Sequence, residues 1–521
     1  MITLASIAAR NARHFPDKPA FVMGSRRVTF AEHHARAGRL VQALRALGLA
    51  PGDRIAMLSR NSLECLDVFG AAEQGAFALA PLNFRLTPAE LETILGQIEP
   101  RVLFLQSRFA EVAARFSGAF GDGVVVFIDD GSRSDGLSLS SLIDDGSGEP
   151  LAYEPDPDDV CYLMCTSGTT GTPRAAMLTQ GGQFLDAEAV ALEMGLSPDD
   201  RHLATMPLFH VGGRALVLGH TLRGCTVHIH NGFDAPAVAD ELVREEITTT
   251  QVVPTMLSWL LDKPLSESAF PSLRLVFYAS APMPVGLLRR GIERLGPIFM
   301  QGYGQTESGP LATTLRPEEH QLAGPAAERL QSCGRAVAGV DLRVLAADGK
   351  VGEPGAIGEL AIRSPSNMVG YLGRPDLTAA TLADGWLRTG DMARIDEAGY
   401  VFIVDRKKDM IISGGENIYP REVEEVLHLH PAVAEAAVIG VPDELWGEAS
   451  VALVVVRDRS GDEIARELDL FCRDRLARYK CPKVVQICDS LPKTPTGKVI
   501  KRQLRERYGP AREPAGQETA G

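Results

Sequence analysis

The residues whose types stand out for chemistry form a run of small polar side chains after an apolar segment. The run is Cys165-Thr166-Ser167-Gly168-Thr169-Thr170-Gly171-Thr172-Pro173-Arg174. Backbone N–H groups and hydroxyls in such a run can surround phosphate oxygens, and Arg174 adds a fixed charge that can bind them through two hydrogen bonds. The spacing differs from G-x-x-x-x-G-K-[ST], which disfavours a P-loop NTPase. A polar turn is the alternative interpretation, but the length of the run and its closing cation favour a phosphate-binding loop.

This loop resembles the signature of the AMP-forming adenylate-forming superfamily, which includes acyl-CoA synthetases, adenylation domains of peptide synthetases and luciferases. The resemblance implies that Arg174 acts in catalysis and that the loop before it binds ATP and AMP. The loop residues with that role would be Thr166, Ser167, Gly168, Thr169, Thr170 and Gly171. The family usually has Lys-Gly after the proline, whereas this chain has Arg174-Ala175. Arg174 keeps the charge but not the compact ammonium, so we expect a different contact with the outer phosphates.

A second run combines two glycines, an aromatic ring and a carboxylate, in the order Gln301-Gly302-Tyr303-Gly304-Gln305-Thr306-Glu307. Glycines allow a backbone to approach a nucleotide closely, the Tyr303 ring can stack on adenine, and the Glu307 carboxylate suits Mg²⁺. By resemblance to the same family, Thr306 and Glu307 are catalytic and Glu307 is the metal ligand. The ATP- and AMP-binding residues here would be Gln301, Gly302, Tyr303 and Gly304. A surface carboxylate is the alternative for Glu307.

A third, weaker signal is the segment Tyr278-Ala279-Ser280-Ala281-Pro282. It resembles the small-residue segment that lies beneath adenine in the family, which assigns Ser280, Ala281 and Pro282 to the nucleotide. Small side chains leave room for a flat ring. An ordinary turn is the alternative interpretation.

The segment Met206 to Gly213 resembles the family's motif on the acyl side, with His210 as a catalytic residue where the acyl pocket meets the adenylate. A packed core histidine is the alternative. Gly212 and Leu216 are four residues apart on the following helix and share a face, so Arg214 points elsewhere, and we expect it to be solvated rather than to clamp a second carboxylate. By resemblance, the acyl pocket is formed by Gly212, Leu216, Met256, Ala279 and Gly309.

Further along, Asp391 follows a glycine turn, and a carboxylate can accept hydrogen bonds from both hydroxyls of a ribose. The resemblance gives Asp391 that role, makes Arg406 the second ribose contact and makes Lys408 the hinge between two domains. A lysine exposed in a charged run is the alternative for Lys408.

The last two motifs lie beyond the expected hinge. Gly414, Gly415 and Glu416 resemble the loop that lines the CoA tunnel, and Asn417 is assigned to the nucleotide. A turn before a helix is the alternative, because Pro420 would begin a helix there. Pro495-Thr496-Gly497-Lys498 resembles the family's final motif, in which Lys498 bridges the reacting carboxylate and the α-phosphate.

The elements that must position these residues alternate between helical and strand patterns. Thr29 and Glu32 have the spacing of a capping box, Leu40 and Leu44 continue an apolar stripe, and Gly48 suits a left-handed helix end. The segment 54–58 reads as a strand. Repeated alternation of this kind predicts an α/β fold with largely parallel sheets.

The predicted organisation is a large N-terminal AMP-binding domain of parallel-sheet α/β subdomains, residues 1–405, and a smaller, mobile α+β C-terminal domain, residues 409–506. The hinge covers residues 406–408, and residues 507–521 form a polar tail predicted to be disordered. The Gly-, Ser- and Asp-rich stretch 118–148 is expected to hold a loose surface connection.

Composition sets outer limits. The chain has 521 residues, 45% hydrophobic and 23% charged, which disfavours a disordered or fibrous protein. A net charge of −14 argues against a nucleic-acid surface. Eight cysteines without a C-x-x-C pair favour free thiols in a reducing cytoplasm. We find no apolar run long enough to span a bilayer, no signal peptide, and no metal site at His228-x-His230 or His428-x-His430.

Together these motifs predict an ATP-dependent acyl-CoA synthetase of the fatty-acid or aryl-CoA ligase branch. It would convert a fatty or aromatic carboxylate to acyl-AMP and transfer the acyl group to coenzyme A, with Mg²⁺ as cofactor and the C-terminal domain rotating about Lys408 between the two steps. An adenylation enzyme that loads a carrier protein is the first alternative, and a non-catalytic nucleotide sensor is the second. The acid, the pathway and the oligomeric state stay open.

Overall fold

A computed structural model describes the chain in ten segments, residues 2–116, 123–129, 137–149, 151–166, 174–262, 270–413, 416–443, 446–457, 462–494 and 497–508. Strands and helices alternate through these segments, as the sequence predicts. The strands up to the phosphate loop are β1 Pro19–Met23, β2 Arg26–Thr29, β3 Arg54–Leu58, β4 Ala78–Leu82, β5 Val102–Leu105, β6 Val124–Phe127, β7 Leu137–Ser138 and β8 Val160–Thr166.

The strands after the phosphate loop continue the alternation into the C-terminal part of the chain. They are β9 Arg174–Thr179, β10 Arg201–Ala204, β11 Thr226–Ile229, β12 Thr249–Val252, β13 Leu275–Tyr278, β14 Phe299–Gln305, β15 Gly309–Leu315, β16 Arg335–Ala336, β17 Asp341–Leu345, β18 Gly358–Arg363, β19 Gly370–Tyr371, β20 Leu382–Ala383, β21 Trp386–Ile395, β22 Val401–Arg406, β23 Ile411–Ser413, β24 Glu416–Ile418, β25 Val433–Asp443, β26 Gly447–Val456 and β27 Val484–Ile487.

Many of the α-helices begin at a Ser, Thr or Asp side chain that caps the first turn. They are α1 Leu4–His14, α2 Phe30–Ala46, α3 Leu63–Gly75, α4 Pro88–Ile98, α5 Ala110–Ala113, α6 Leu139–Asp145, α7 Gln180–Glu193, α8 Val211–Arg223, α9 Ala235–Arg244, α10 Pro254–Leu261, α11 Val285–Leu295, α12 Pro375–Thr381, α13 Pro420–His428, α14 Asp462–Arg473 and α15 Lys501–Tyr508. The capping box predicted at Thr29 and Glu32 is confirmed, and Gly48 has the predicted positive φ, 87°.

Two large sheets build most of the fold. The nine-stranded sheet has the order β16-β15-β14-β13-β12-β10-β11-β1-β2, and its neighbours from β14 to β1 are parallel. The eight-stranded sheet has the order β19-β9-β8-β4-β3-β5-β6-β7 and is parallel from β8 to β7. The largest apolar cluster includes residues of α2, α3 and α8 together with strands of both sheets, among them Leu40, Phe69, Val217, Met164 and Val227.

Two smaller sheets complete the fold. One has the order β17-β18-β21-β20 with β22 paired to β21, and the other has the order β24-β23-β26-β25 with β27 paired to β26. The latter packs against α13 and α14 through Val423, Leu427, Ile464, Leu468 and Cys472. The helix predicted to begin at Pro420 is therefore confirmed, and its Val423 and Leu427 side chains are buried.

The described chain divides into two compact units. The first comprises Met1–Ala279, Gly291–Leu342 and Ala361–Thr389, and the second comprises Ser280–Arg290, Arg343–Leu360 and Gly390–Gly521. The predicted boundaries at residues 405, 408 and 506 stay predictions. Of the predicted tail, residues 507–508 end α15, and residues 509–521 lie outside the described residues.

The stretch 118–148 contains regular elements in its described parts, namely strands β6 and β7 and helix α6. A loose surface connection stays a prediction only for the residues of this stretch that the structure does not describe. Val126 is 0% exposed and Ile143 is 1% exposed, because short apolar runs inside the polar stretch pack onto the sheet. Among the residues that the structure describes, no helix is both long and apolar enough to cross a membrane.

Candidate nucleotide and acyl site

The two ends of the phosphate loop are held side by side. Strands β8 and β9 pair antiparallel, with Cys165 opposite Ala175 and Thr166 opposite Arg174. Five of the predicted loop residues lie outside the described residues, namely Ser167, Gly168, Thr169, Thr170 and Gly171. Because its ends are paired, the loop enters and leaves at one point of the sheet, and Arg174 stands at the exit.

Arg174 lies in a cluster with Tyr371 and Glu307, which we call the loop-exit cluster. The Tyr371 hydroxyl donates to Glu307 Oε1 at 2.9 Å, and the Arg174 guanidinium carbon lies 5.6 Å from the centre of the Tyr371 ring. Burial, followed by the nearby Glu307 carboxylate, raises the pKa of Tyr371 above its usual range, so the phenol stays protonated and donates. The structure thus brings together the predicted cation and the predicted metal ligand.

The second predicted run follows strand β14 into a short 3₁₀ helix, Thr306–Ser308. Both of its glycines are needed for packing within the chain, and their predicted role toward a nucleotide stays a prediction. A Cβ at Gly302 would collide with the Phe277 ring, and a Cβ at Gly304 would lie 2.5 Å from the Pro310 carbonyl oxygen. The glycines are therefore required by packing within the chain, whatever approaches from outside. Gln301, Tyr303 and Thr306 are partly buried.

His210 caps the first turn of α8. Its Nδ1 accepts from the Gly212 N–H at 3.3 Å, and a neutral ring in this arrangement carries its proton on Nε2. A Cβ at Gly212 would lie 3.5 Å from His210 Nδ1 and 3.9 Å from Gln251 Nε2. The predicted acyl-side pair therefore shares its surroundings with the amide of Gln251, which sequence reasoning did not single out.

The other predicted acyl-pocket residues are mostly packed. Leu216 is 2% exposed, Met256 is 9% exposed, and Ala279 packs against the same apolar cluster as Leu216. Gly309 has a φ of 75°, and a Cβ there would lie 2.6 Å from Ser366 Cβ. Gly309 is therefore needed for its backbone conformation and for close packing.

In the second unit, the two predicted ribose contacts touch each other. Arg406 Nε lies 2.5 Å from Asp391 Oδ1, across paired strands β21 and β22. Asp391 is buried, while Arg406 keeps 42% of its side chain exposed. Ser280 in the same unit has a φ of 72°, a conformation that costs energy for a residue with a side chain and is common at functional sites.

The remaining predicted residues of this unit lie on its surface. Lys408, Glu416, Asn417 and Lys498 are exposed, Ala281 is partly buried and Pro282 is exposed. Lys498 ends a turn in which its N–H donates to Thr494 Oγ1 at 3.0 Å and its carbonyl accepts from the Thr494 N–H at 2.7 Å. Gly414 and Gly415 lie outside the described residues.

Comparison with known proteins identifies the family. The AMP-binding enzyme family model matches residues 8–372, and the model of the AMP-binding enzyme C-terminal domain matches residues 422–498. The first match alone spans more than half of the chain.

This chain belongs to the AMP-binding enzyme family.

Named relatives of this AMP-binding enzyme agree with that assignment. It is 40% identical to a feruloyl-CoA synthase of Amycolatopsis sp., over 97% of this chain and 99% of the relative. It is 37% identical to the fatty acid–[acyl-carrier-protein] ligase ScoC of Streptomyces coeruleorubidus, over 97% and 96%. The solved o-succinylbenzoate CoA synthetase MenE of Bacillus subtilis, bound to the acyl-adenylate intermediate OSB-AMP, is 31% identical with a TM-score of 0.84, over 96% and 97%. The predicted family and the predicted α/β fold are confirmed, while the role of each site residue stays a prediction.

One residue of this AMP-binding enzyme lies where the sequence did not place it. Arg214 was expected to be solvated, and this is wrong: it is 4% exposed. It forms an ion pair with Glu73, and its Nε donates to the Tyr162 hydroxyl at 3.0 Å. We call Glu73, Tyr162 and Arg214 the buried cluster. The Arg214 guanidinium is already paired with Glu73, so it is not available to bind a second carboxylate of a substrate.

Sequence reasoning also missed Tyr371 and Asp186. Nothing in the spacing of Gly370-Tyr371 pointed to Glu307, which lies 64 residues earlier. Asp186 on α7 is 2% exposed and accepts from the Leu311 N–H at 3.3 Å. Burial raises its pKa to about 7. No group of three or more His, Cys, Asp or Glu side chains within the described segments could hold a metal ion.

Proposed function

We propose that this chain is an AMP-forming acyl-CoA synthetase that activates a fatty or aromatic carboxylate with ATP and transfers the acyl group to coenzyme A. The observation that supports it most is the loop-exit cluster, a cation and a carboxylate at the mouth of a phosphate loop. It lies in a chain 40% identical to a feruloyl-CoA synthase over nearly its full length.

The first half-reaction joins a carboxylate oxygen to the α-phosphorus of ATP and releases diphosphate. Both reactants are anions, and two unit charges about 4 Å apart repel by about 4 kcal/mol at an effective dielectric constant of 20. Arg174 at the loop exit and the ammonium of Lys498 would offset this repulsion. Catalysis of this kind depends on position and charge, and it needs no nucleophilic side chain.

Mg²⁺ belongs to the proposal, with Glu307 as its protein ligand. Magnesium in phosphoryl-transfer sites is held by one or two carboxylates together with phosphate oxygens and water, so a single fixed carboxylate fits. The bound ion would neutralise charge on the phosphates. Glu307 would orient it, because Tyr371 occupies one carboxylate oxygen.

In the second half-reaction, the thiol of coenzyme A attacks the acyl carbonyl and AMP leaves. We assign Asp391 and Arg406 to the ribose, Asn417 to the nucleotide, Glu416 with Gly414 and Gly415 to coenzyme A, and Lys408 to the hinge. The ion pair of Asp391 and Arg406 supports a shared role for these two residues. His210 is assigned to the junction of acyl group and adenylate.

The decisive experiment offers ATP and coenzyme A with acetate, octanoate, palmitate, benzoate or 4-coumarate. Diphosphate release and thioester formation are measured for each acid. We expect the bulky or long acids to be preferred over acetate. If no acid supports exchange of labelled diphosphate into ATP, the chain is not an acyl-adenylating enzyme.

A half-reaction test separates the role of Lys498. In Lys498→Ala, acyl-AMP formation should be lost, while thioester formation from supplied acyl-AMP should stay near the wild-type rate. Arg502→Ala is the matched control, because Arg502 is a nearby exposed cation that pairs with Glu506 at 3.0 Å. Equal loss of both half-reactions in Lys498→Ala would contradict the assigned role.

A second candidate function has one specific observation in its favour. The relative ScoC is named as a fatty acid–[acyl-carrier-protein] ligase, so a carrier-bound thiol could replace coenzyme A. A competition between coenzyme A and a phosphopantetheinylated acyl carrier protein decides between the two acceptors. A cytoplasmic location is part of the proposal and rests on the eight cysteines, all of which are free thiols.

A further inference from the structure

We propose that Tyr371 is a positioning residue that fixes the Glu307 carboxylate and the Arg174 guanidinium at the exit of the phosphate loop, and thereby sets how strongly Mg²⁺ promotes ATP binding. This inference rests on the proposed function. It assigns a role to a residue outside the motifs that carry the family resemblance.

Tyr371 and its neighbours hold Glu307 at two points. The Tyr371 hydroxyl donates to Glu307 Oε1 at 2.9 Å, and the Met368 N–H donates to the Glu307 carbonyl at 2.8 Å. Main chain and side chain are thus fixed by one short segment. A carboxylate held in this way keeps one orientation, and its second oxygen faces a constant direction.

Tyr371 also contacts Arg174. The guanidinium lies over the ring, with its central carbon 5.6 Å from the ring centre. A planar guanidinium stacks on an aromatic face, whereas a lysine ammonium acts as a point charge. The arginine that replaces the family's lysine therefore has its orientation set by the same ring that orients Glu307.

The ring itself has little freedom. Tyr371 is 5% exposed and lies in β19, which pairs with β9 so that Tyr371 is opposite Ala176. The Tyr371 N–H donates to Thr378 Oγ1 at 2.9 Å, and the Leu372 N–H donates to the Ala175 carbonyl at 2.9 Å. Tyr371 is thus fixed to β9, the strand that leaves the phosphate loop. Its hydroxyl fixes Glu307 relative to that strand.

The experiment measures ATP binding by calorimetry without any acid, so that no reaction occurs. In Tyr371→Phe the ring and its stacking stay, but the hydroxyl is lost. We expect the dissociation constant for ATP to rise about five- to tenfold with Mg²⁺, as expected for the loss of a hydrogen bond of ordinary net strength, and to change less than about twofold in EDTA. Thioester formation from supplied acyl-AMP should stay within about twofold of wild type.

Tyr153→Phe is the matched control. The Tyr153 hydroxyl also donates to a carboxylate, Asp159 Oδ2, at 2.8 Å, and neither residue belongs to a predicted motif. This variant should bind ATP as the wild type does under both conditions. The comparison therefore separates the loss of this particular hydroxyl from the loss of any tyrosine–carboxylate bond.

A double-mutant cycle shows whether Tyr371 acts through Glu307. Glu307→Gln keeps an acceptor for the hydroxyl but removes the charge. If Tyr371 acts through the carboxylate, the double variant Tyr371→Phe/Glu307→Gln binds Mg²⁺–ATP no more weakly than Glu307→Gln alone. Additive losses, or equal losses with Mg²⁺ and in EDTA, would overturn the inference.

The proposed function and this inference fail in different ways. A wild-type protein that does not bind ATP contradicts the proposed function. A wild-type protein that binds ATP more tightly with Mg²⁺, together with a Tyr371→Phe variant that behaves identically, contradicts only the role of Tyr371. If Tyr371→Phe does not fold, Thr378→Val tests the same role, because it removes the hydrogen bond to the Tyr371 backbone and should shift the Mg²⁺ dependence in the same direction.

Discussion

The large unit contains the same three residue types in two places, with opposite surroundings. The buried cluster has Arg214 and Glu73 with 5% and 6% of their side chains exposed, and Tyr162 joins both. In the loop-exit cluster, Tyr371 donates to Glu307 and lies under Arg174, and both charged residues are partly open to solvent. Each cluster has one residue in a strand that flanks the phosphate loop, Tyr162 in β8 and Arg174 in β9.

The comparison indicates that burial decides whether the charged groups of an Arg–Tyr–Glu cluster are fully paired with each other or can still bind a ligand. In the buried cluster the charges satisfy each other, and the Phe69 ring lies 4.6 Å from the Arg214 guanidinium. In the loop-exit cluster both charged residues are partly open to solvent, and Arg174 lies at one of the paired ends of the phosphate loop. We therefore expect changes in the buried cluster to affect stability, and changes in the loop-exit cluster to affect ATP.

The largest expected effect comes from Arg214→Leu. It leaves the Glu73 carboxylate buried without its cation, which costs about 3–5 kcal/mol of folding free energy. The same change at Arg174 should cost less than about 1 kcal/mol, because that group is partly solvated. Urea unfolding of both variants measures the contrast. The double variant Glu73→Leu/Arg214→Leu should recover much of the lost stability. Equal losses of stability in the Arg214 and Arg174 variants would contradict the expected difference between the two clusters.

Asp186 is a buried carboxylate that accepts a backbone N–H and pairs with no cation among the residues that the structure describes. Burial raises the pKa of Asp186 from 3.8 to about 7, so the folded state keeps a proton that the unfolded state loses. Stability contributed by this group is present below pH 4 and falls as the pH rises to about 7, by at most about 4 kcal/mol at 1.4 kcal/mol per pKa unit.

The variant Asp186→Asn tests this slope. The amide oxygen can still accept from the Leu311 N–H, but no charge has to be buried at high pH. We expect the variant to match the wild type near pH 4 and to be more stable at pH 8. Thermal midpoints over that range measure the difference. Parallel pH profiles for the two proteins would show that Asp186 is not the group that titrates.

The next smaller effect is the difference in folding stability between the variants Tyr162→Phe and Tyr371→Phe. Tyr162→Phe removes a partner from two buried charges and should cost about 1–3 kcal/mol. Tyr371→Phe should cost about 0.5–1.5 kcal/mol, since water can reach Glu307 and replace part of the bond. Unfolding midpoints in urea rank the two variants. A larger loss for Tyr371→Phe would reverse the assignment of structural and ligand-directed clusters.

The smallest expected effect is that of Arg174→Lys, which restores the residue usual in the family. The charge stays, but the stack on Tyr371 is lost, and a cation–π contact of this kind contributes about 0.5–1 kcal/mol. We expect the Michaelis constant for ATP in diphosphate exchange to change by about two- to fivefold. A change above a hundredfold would mean that the guanidinium contacts the phosphates in a way lysine cannot imitate.

The sequence predicted the family and the α/β fold, because both depend on local runs of residue types. The prediction that Arg214 is solvated was wrong because a residue's position along a helix indicates only which face its side chain lies on, and not whether that face is buried. The face proved to be core, since α8 is buried on most sides, including Val211, Ala215, Val217 and Leu218. Apolar residues on all sides of a helix are a signal of burial, and that signal was present in the sequence.

Long-range partners were not predictable in this way. Glu73 lies 141 residues from Arg214, and no spacing rule connects positions so far apart. The same holds for Tyr371 and Glu307. The packing that requires the glycines of the second run was not predicted either, since their close neighbours, Phe277 and Pro310, belong to no predicted motif.

The two-residue strand β19 has a consequence for assembly. It pairs with β9, which would otherwise end the eight-stranded sheet with unpaired backbone groups, and open strand edges invite other chains to join. Gly370 permits this cover, because its φ is 152° and a Cβ there would lie 2.9 Å from Thr378 Cγ2. A bulky replacement at Gly370 would displace β19 and leave the edge of β9 unpaired. The first effect of such a variant should be aggregation during expression.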